Sequence, residues 1–176
     1  MKALCALALT LLTWAAQAGT LTAVDLDHNG SPDAYLESGA GVLWSAVGNA
    51  NGLMLYGPAT SFVEASSIAG VTGWRLPTID ELKSLYATLN GVPIGTLGGA
   101  MAAGPFTGVQ AGDYWSSTTT GTRYFALDTR TGSYAGNFTP AGTPLYAWAV
   151  HAPVAEPGTA TLWLGALVLL ARRGRR

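Results

Sequence analysis

Four residues near the start of the chain have the types and spacing to do chemistry: Asp25, Asp27, Asn29 and Asp33, within the run DLDHNGSPD. Hard oxygen donors alternating around a glycine turn, here Gly30, suit Ca2+ as in EF-hand-type loops. The twelfth position of such a loop is Leu36, so the bidentate closing carboxylate is missing, and Glu37 falls one residue late. No helical pattern precedes the run. A site built this way is expected to be weak, on the order of 10⁻⁴–10⁻³ M, the range of extracellular calcium modules. The same residues also read as a polar Asx-rich turn with no metal. No other cofactor is called for.

Catalytic equipment is sparse. The chain has two histidines, His28 beside this loop and His151 near the far end, and neither has an acid–base partner close in sequence. His151 reads as a strand-end or solvent position. Ser116-Ser117 lacks a G-x-S-x-G setting and any paired histidine. The one cysteine, Cys5, lies in the first residues. These features predict a protein that is not an enzyme. Tyr35, Tyr114, Tyr124, Tyr134 and Tyr146 offer rings for a carbohydrate face, although tyrosines are equally at home in strands without one.

The compartment is read from the N-terminus. MKALCALALTLLTWAAQAG has Lys2, an apolar stretch from Ala3 to Ala16, and Ala16-Gln17-Ala18 as an A-x-A-like cleavage site. This is the layout of a secretory signal peptide over residues 1–18. A retained membrane anchor is the rival reading, against which the stretch is short and ends in small residues. Cys5 leaves with the peptide, so the mature chain has no disulfide and no thiolate site. Residues 19–155 hold four of the nine basic and nine of the ten acidic residues, a formal charge of −5. That balance excludes nucleic acid as a partner.

Two helices are expected to position these groups. In GPATSFVEASSIAG, Pro58 suits a start, Ser61 and Glu64 match a capping box, Gly70 suits a stop, and Phe62, Ala65 and Ala69 share a face. In LPTIDELKSLYATLNG, Thr78 is an N-cap with Glu81 closing its box. Leu82, Leu85, Tyr86 and Leu89 form an apolar stripe, and Asn90-Gly91 ends it. Residues from about Gly91 to Gly112 read as a long surface loop. DYWSST, TRYFALD, GSYAGNF and PLYAWAV then read as strands of an antiparallel meander. Helices followed by strands predict an α+β domain over residues 19–152.

The ordered series GLMLYGPATSFVEAS, GWRLPTIDELKSLY, DYWSST and YAWAV resembles the Lcl C-terminal domain family, over roughly residues 42–151. The resemblance implies a bacterial secreted or surface domain with C-type-lectin-like features. A related RLPT corner followed by an acidic helix occurs in formylglycine-generating-enzyme-like domains, where it is architectural. By that likeness Trp74, Arg75, Leu76, Pro77 and Thr78 are architecture, to which Glu81 belongs through its capping box. Trp74, Trp115 and Trp148 sit beside strand or helix signals and read as core residues rather than ligand-stacking ones. Arg75 is expected to pair with a carboxylate or loop carbonyls. Where the family often has arginine after the final AWAV, this chain has His151.

The last residues, 153–176, form a separate tail. Thr159 to Ala171 is uncharged, about 20 Å long as a helix against about 30 Å for a bilayer core. Arg172, Arg173, Arg175 and Arg176 follow it. Cations there would hold the end in the cytoplasm and snorkel to lengthen the span of a C-terminal apolar transmembrane helix over residues 159–171. Glu156-Pro157 ahead of it resembles the PEP-CTERM sorting signal recognised by exosortases, with Ala155 in place of the usual first proline. The resemblance implies export by the Sec machinery and signal peptidase, transient anchoring in the inner membrane, and exosortase release to the cell surface or extracellular matrix. The function expected is a non-enzymatic binding or adhesion module, with surface polysaccharide as partner. A structural envelope or matrix protein without a discrete ligand is the alternative.

Overall fold

Strands come first, before either helix. The computed structural model describes residues 19–92, 99–138 and 142–152. Its elements are β1 (Leu21–Val24), β2 (Ala34–Glu37), β3 (Val42–Ser45), α1 (Tyr56–Glu64), α2 (Ile79–Asn90), β4 (Asp113–Thr120), β5 (Arg123–Asp128), β6 (Ser133–Phe138) and β7 (Val150–His151). One antiparallel sheet has the order β1-β2-β3-β7 and the other β4-β5-β6. The domain is α+β, but three strands lie ahead of the helices, where the expected order was helices first and strands after. Each is four residues long, and β2 (AYLE) buries Ala34 and Glu37 at its ends rather than alternating. Segments this short give the period-2 signal too few repeats to show.

Helix α2 forms as its sequence predicts. The Thr78 hydroxyl accepts from Glu81 N–H (3.2 Å), the Glu81 carboxylate accepts from Thr78 N–H (2.7 Å), and Gly91 ends the helix with φ 70°. Its buried face is Ile79, Leu82, Leu85 and Tyr86, packed over β4 and β5. Helix α1 departs from the expectation. It starts at Tyr56 behind Leu55, which makes no side-chain cap, and Ser61 and Glu64 lie inside it, so the expected capping box does not form. Its end at Glu64 precedes Gly70, and its buried residues are Ala59 and Val63, with Phe62 alongside and Ala65 exposed. Pro58 occupies the first turn, where its missing N–H costs nothing.

Two apolar clusters flank the β4–β5 sheet. One gathers Val42, Trp44, Leu82, Leu85, Tyr86, Tyr114, Leu127, Trp148 and Val150; the other gathers Ala34, Ala59, Val63, Trp74, Leu76, Trp115 and Ala126. PLYAWAV does not join the meander. Leu145, Ala147 and Ala149 enter the second cluster, whereas Trp148 and Val150 enter the first and Tyr146 packs on it. The segment is extended, so successive side chains point to opposite sides, and here both sides are core. Its backbone links both sheets. Tyr146 O accepts from Trp115 N–H (2.9 Å), Ala149 O from Ser45 N–H (3.0 Å), and Val150 and Arg75 exchange two bonds of 2.9 Å. The glycine-rich stretch also differs from a surface loop, because Met101 and Phe106 are buried. The Phe106 ring meets Tyr35 at 5.0 Å and Trp148 at 4.8 Å, both edge to face.

Candidate metal centre

The loop between β1 and β2 carries the acidic residues, and antiparallel pairing of Val24 with Ala34 closes it. Oxygen atoms of Asp25, Asp27 and Asp33 lie within 4.8 Å of one another. The backbone is built around these side chains. Asp25 accepts from Asn29 N–H (3.1 Å) and Gly30 N–H (2.8 Å), and Asp27 from Asn29 N–H (3.1 Å). Asn29 accepts from Ser31 N–H (2.9 Å), and Asp33 from Leu26 N–H (2.9 Å). His28 and Gly30 adopt positive φ (61° and 91°), which turns the chain tightly enough to converge the acids. The Gly30 N–H, foremost, holds the Asp25 carboxyl below its ordinary value, so it is ionised at neutral pH.

This donor set fits a hard divalent cation. Asp27 and Asp33 each keep one oxygen outside the loop's own hydrogen bonds, and carboxylate oxygens at positions one, three and nine are what Ca2+ loops supply. Glu37 cannot close the site. It is wholly buried at the other end of β2 and bonds to Ser84 and Thr88 of α2. Water would complete the coordination.

The WRLPT corner is assembled apart from this loop. Trp74 is 1% exposed and donates to Val71 O (2.9 Å), and Leu76 is buried beside it. Pro77 O accepts from Ser117 N–H (2.7 Å), which ties the corner to β4. Arg75 donates to Leu76 O and to both oxygens of Glu81. Burial raises the Glu81 carboxyl, but bonds from Arg75 and Thr78 outweigh it and leave it below its ordinary value. Trp115 Nε1 donates to Met54 O (2.7 Å) and Trp148 Nε1 to Ser45 O (3.0 Å).

The tyrosines do not form one face. Tyr114 is buried, and burial pushes its hydroxyl up to about 12, with Gln110 N–H donating to it. Tyr35 packs on one core cluster and Tyr124 on the other, while Tyr134 is exposed with Lys83 over its ring. Ser116 is buried and its hydroxyl accepts from Thr118 N–H. His151 lies in β7 with its ring 5.4 Å from Trp74. A cavity of about 230 Å³ lies against the loop, lined by Asp33, Ser45, Val47, Phe62 and Ile68 among others. Glu156, Pro157, Arg172, Arg173, Arg175 and Arg176, with the apolar stretch 159–171, lie outside the described residues, as does the signal peptide. Among the described residues no helix is long and apolar enough to cross a membrane.

Two antiparallel sheets joined by one extended strap, with an acidic turn at the edge, define a small α+β domain whose candidate chemistry is cation binding on a loop. The family model for the Lcl C-terminal domain matches residues 8–151, most of the chain, and the protein belongs to that family. No curated protein matches it.

Proposed function

We propose that this protein is an exported, non-enzymatic binding or adhesion module of the bacterial surface or extracellular matrix, with a C-type-lectin-like arrangement. In this reading the loop of Asp25, Asp27, Asn29 and Asp33 takes Ca2+ weakly and becomes rigid. The observation that carries it is the convergence of three carboxylates within 4.8 Å on a loop whose backbone N–H groups orient them. Asp33 also lines the 230 Å³ cavity, so a cation held there would stiffen one wall of a recess suited to a small, partly apolar group such as one face of a sugar. The residues 1–18 act as signal peptide, and the tail delivers the domain through an exosortase.

A glycan array probed with the purified protein, with and without millimolar calcium, tests this reading. Saturable, sequence-dependent and calcium-dependent glycan binding supports a module. Self-association without glycan binding supports a structural matrix protein instead.

A further inference from the structure

Glu37 is a buried carboxylate, and among the described residues the groups that bond it carry no charge. It is fully buried, yet it accepts from Gly39 N–H (2.8 Å), Ala40 N–H (2.7 Å), Ser84 Oγ (3.1 Å) and Thr88 Oγ1 (2.7 Å). Every one of these donors is neutral. Hydrogen bonds of this kind offset part of the desolvation cost of an anion, whereas a cation would offset more.

Gly19 also lies beside this carboxylate. A side chain placed there would run into Glu37 Oε1, and would come within 2.5 Å of Thr88 Oγ1 and 2.9 Å of Gly39 N. The backbone of residue 19 therefore lies directly against the carboxylate. With an N–Cα bond of about 1.46 Å, the Gly19 nitrogen is within roughly 5 Å of it. In the uncut chain that nitrogen is an amide. Hydrolysis of the Ala18–Gly19 bond adds water across it: Ala18 leaves with the new carboxylate, and the Gly19 nitrogen takes a proton to become an ammonium.

We infer that the Glu37 pocket is a binding site for the α-ammonium of the mature chain, so that signal-peptide removal completes an ion pair on this buried carboxylate which the precursor lacks. This rests on the reading of residues 1–18 as a signal peptide cut after Ala18. The pocket selects glycine as the first mature residue, since any Cβ would collide with the carboxylate. The pair fastens the chain start, just ahead of β1, to α2 through Ser84 and Thr88. An opposite charge at 4–6 Å is close enough to stabilise both partners.

The test compares the chain Gly19–Arg176, freed from a fusion so that Gly19 is its first residue, with the same chain carrying Ser-Ala ahead of Gly19. The extension should lower the melting temperature by about 5 °C, within the range that loss of one stabilising interaction gives in a small domain. In a Glu37→Gln background it should lower it by much less. Selective acetylation of the Gly19 α-amine in the otherwise unaltered chain should reproduce the loss, which keeps the test independent of how well Glu37→Gln folds. Equal losses in both backgrounds, or none on extension and acetylation, would overturn the ion pair. N-terminal sequencing of the exported protein addresses the cleavage separately. A start at Gly19 is expected, and any other start overturns maturation as the trigger whatever the melting data show.

Discussion

Arg75 grips Glu81 with both terminal guanidinium nitrogens, Nη1 to Oε2 at 2.8 Å and Nη2 to Oε1 at 2.6 Å. Glu81 also closes the capping box of α2 through Thr78. One side chain thus joins the WRLPT corner to the helix that follows it, while Arg75 and Val150 exchange backbone bonds that join the corner to the C-terminal strap.

Replacing Arg75 with leucine should cost about 2 kcal/mol, the scale of a charge-assisted hydrogen bond in a partly exposed setting. The folded-state carboxyl of Glu81 lies below its unfolded value of 4.5. Its contribution is therefore complete above that value and lost as pH falls through the folded one. Chemical denaturation across pH 3 to 7 should show the unaltered protein losing stability more steeply on the acid side than Glu81→Gln, which keeps the cap but not the charge.

Trp74→Ala should lower stability by about 3–5 kcal/mol, as expected for emptying a core site of tryptophan size. Trp74 is buried and its indole N–H is already bonded to Val71 O, so it has no group left for a ligand. Pro77→Gly should act in the same direction through the corner. A thermal melt decides this: an unchanged transition in a Trp74→Ala protein that no longer binds ligand would contradict a purely architectural role.

For the tail, replacing Arg172, Arg173, Arg175 and Arg176 with serine should yield an unprocessed product that is no longer held in the membrane, because the apolar stretch 159–171 is short for a bilayer. With the arginines present, an exosortase-bearing host should release a chain ending near residue 156, and a host without one should retain the precursor. Intact mass of the surface protein reads both outcomes. Arg176 still attached in the first host would contradict sorting.

Helix α2 was legible residue by residue because its signals are local: a capping box, an i, i+3, i+4, i+7 stripe and a glycine stop. The acidic loop was legible for the same reason, since Asp25, Asp27 and Asp33 converge through hydrogen bonds spanning at most seven residues. What escaped depends on distant partners. PLYAWAV has the alternation of a strand, but its two faces pack into two different cores, which no local pattern reveals. In the sequence Glu37 is only a carboxylate one residue late for the calcium loop, whereas its partners Ser84 and Thr88 lie 47 and 51 residues away. Phe106 and Met101 sit in a glycine-rich stretch without periodicity, and only their burial identifies them as core.

The calcium dependence of stability tests the account of the acidic loop most directly. A dissociation constant of about 1 mM and about 10 mM Ca2+ give a gain of roughly 1.4 kcal/mol by linkage. For a domain of this size that is an upward shift in melting temperature of about 3–5 °C. The shift should be reversed by a chelator, be absent with Mg2+ at the same ionic strength, and vanish in Asp25→Ala and Asp27→Ala. No shift at 10 mM, or one that survives both substitutions, would contradict a metal site and leave the loop as a polar turn.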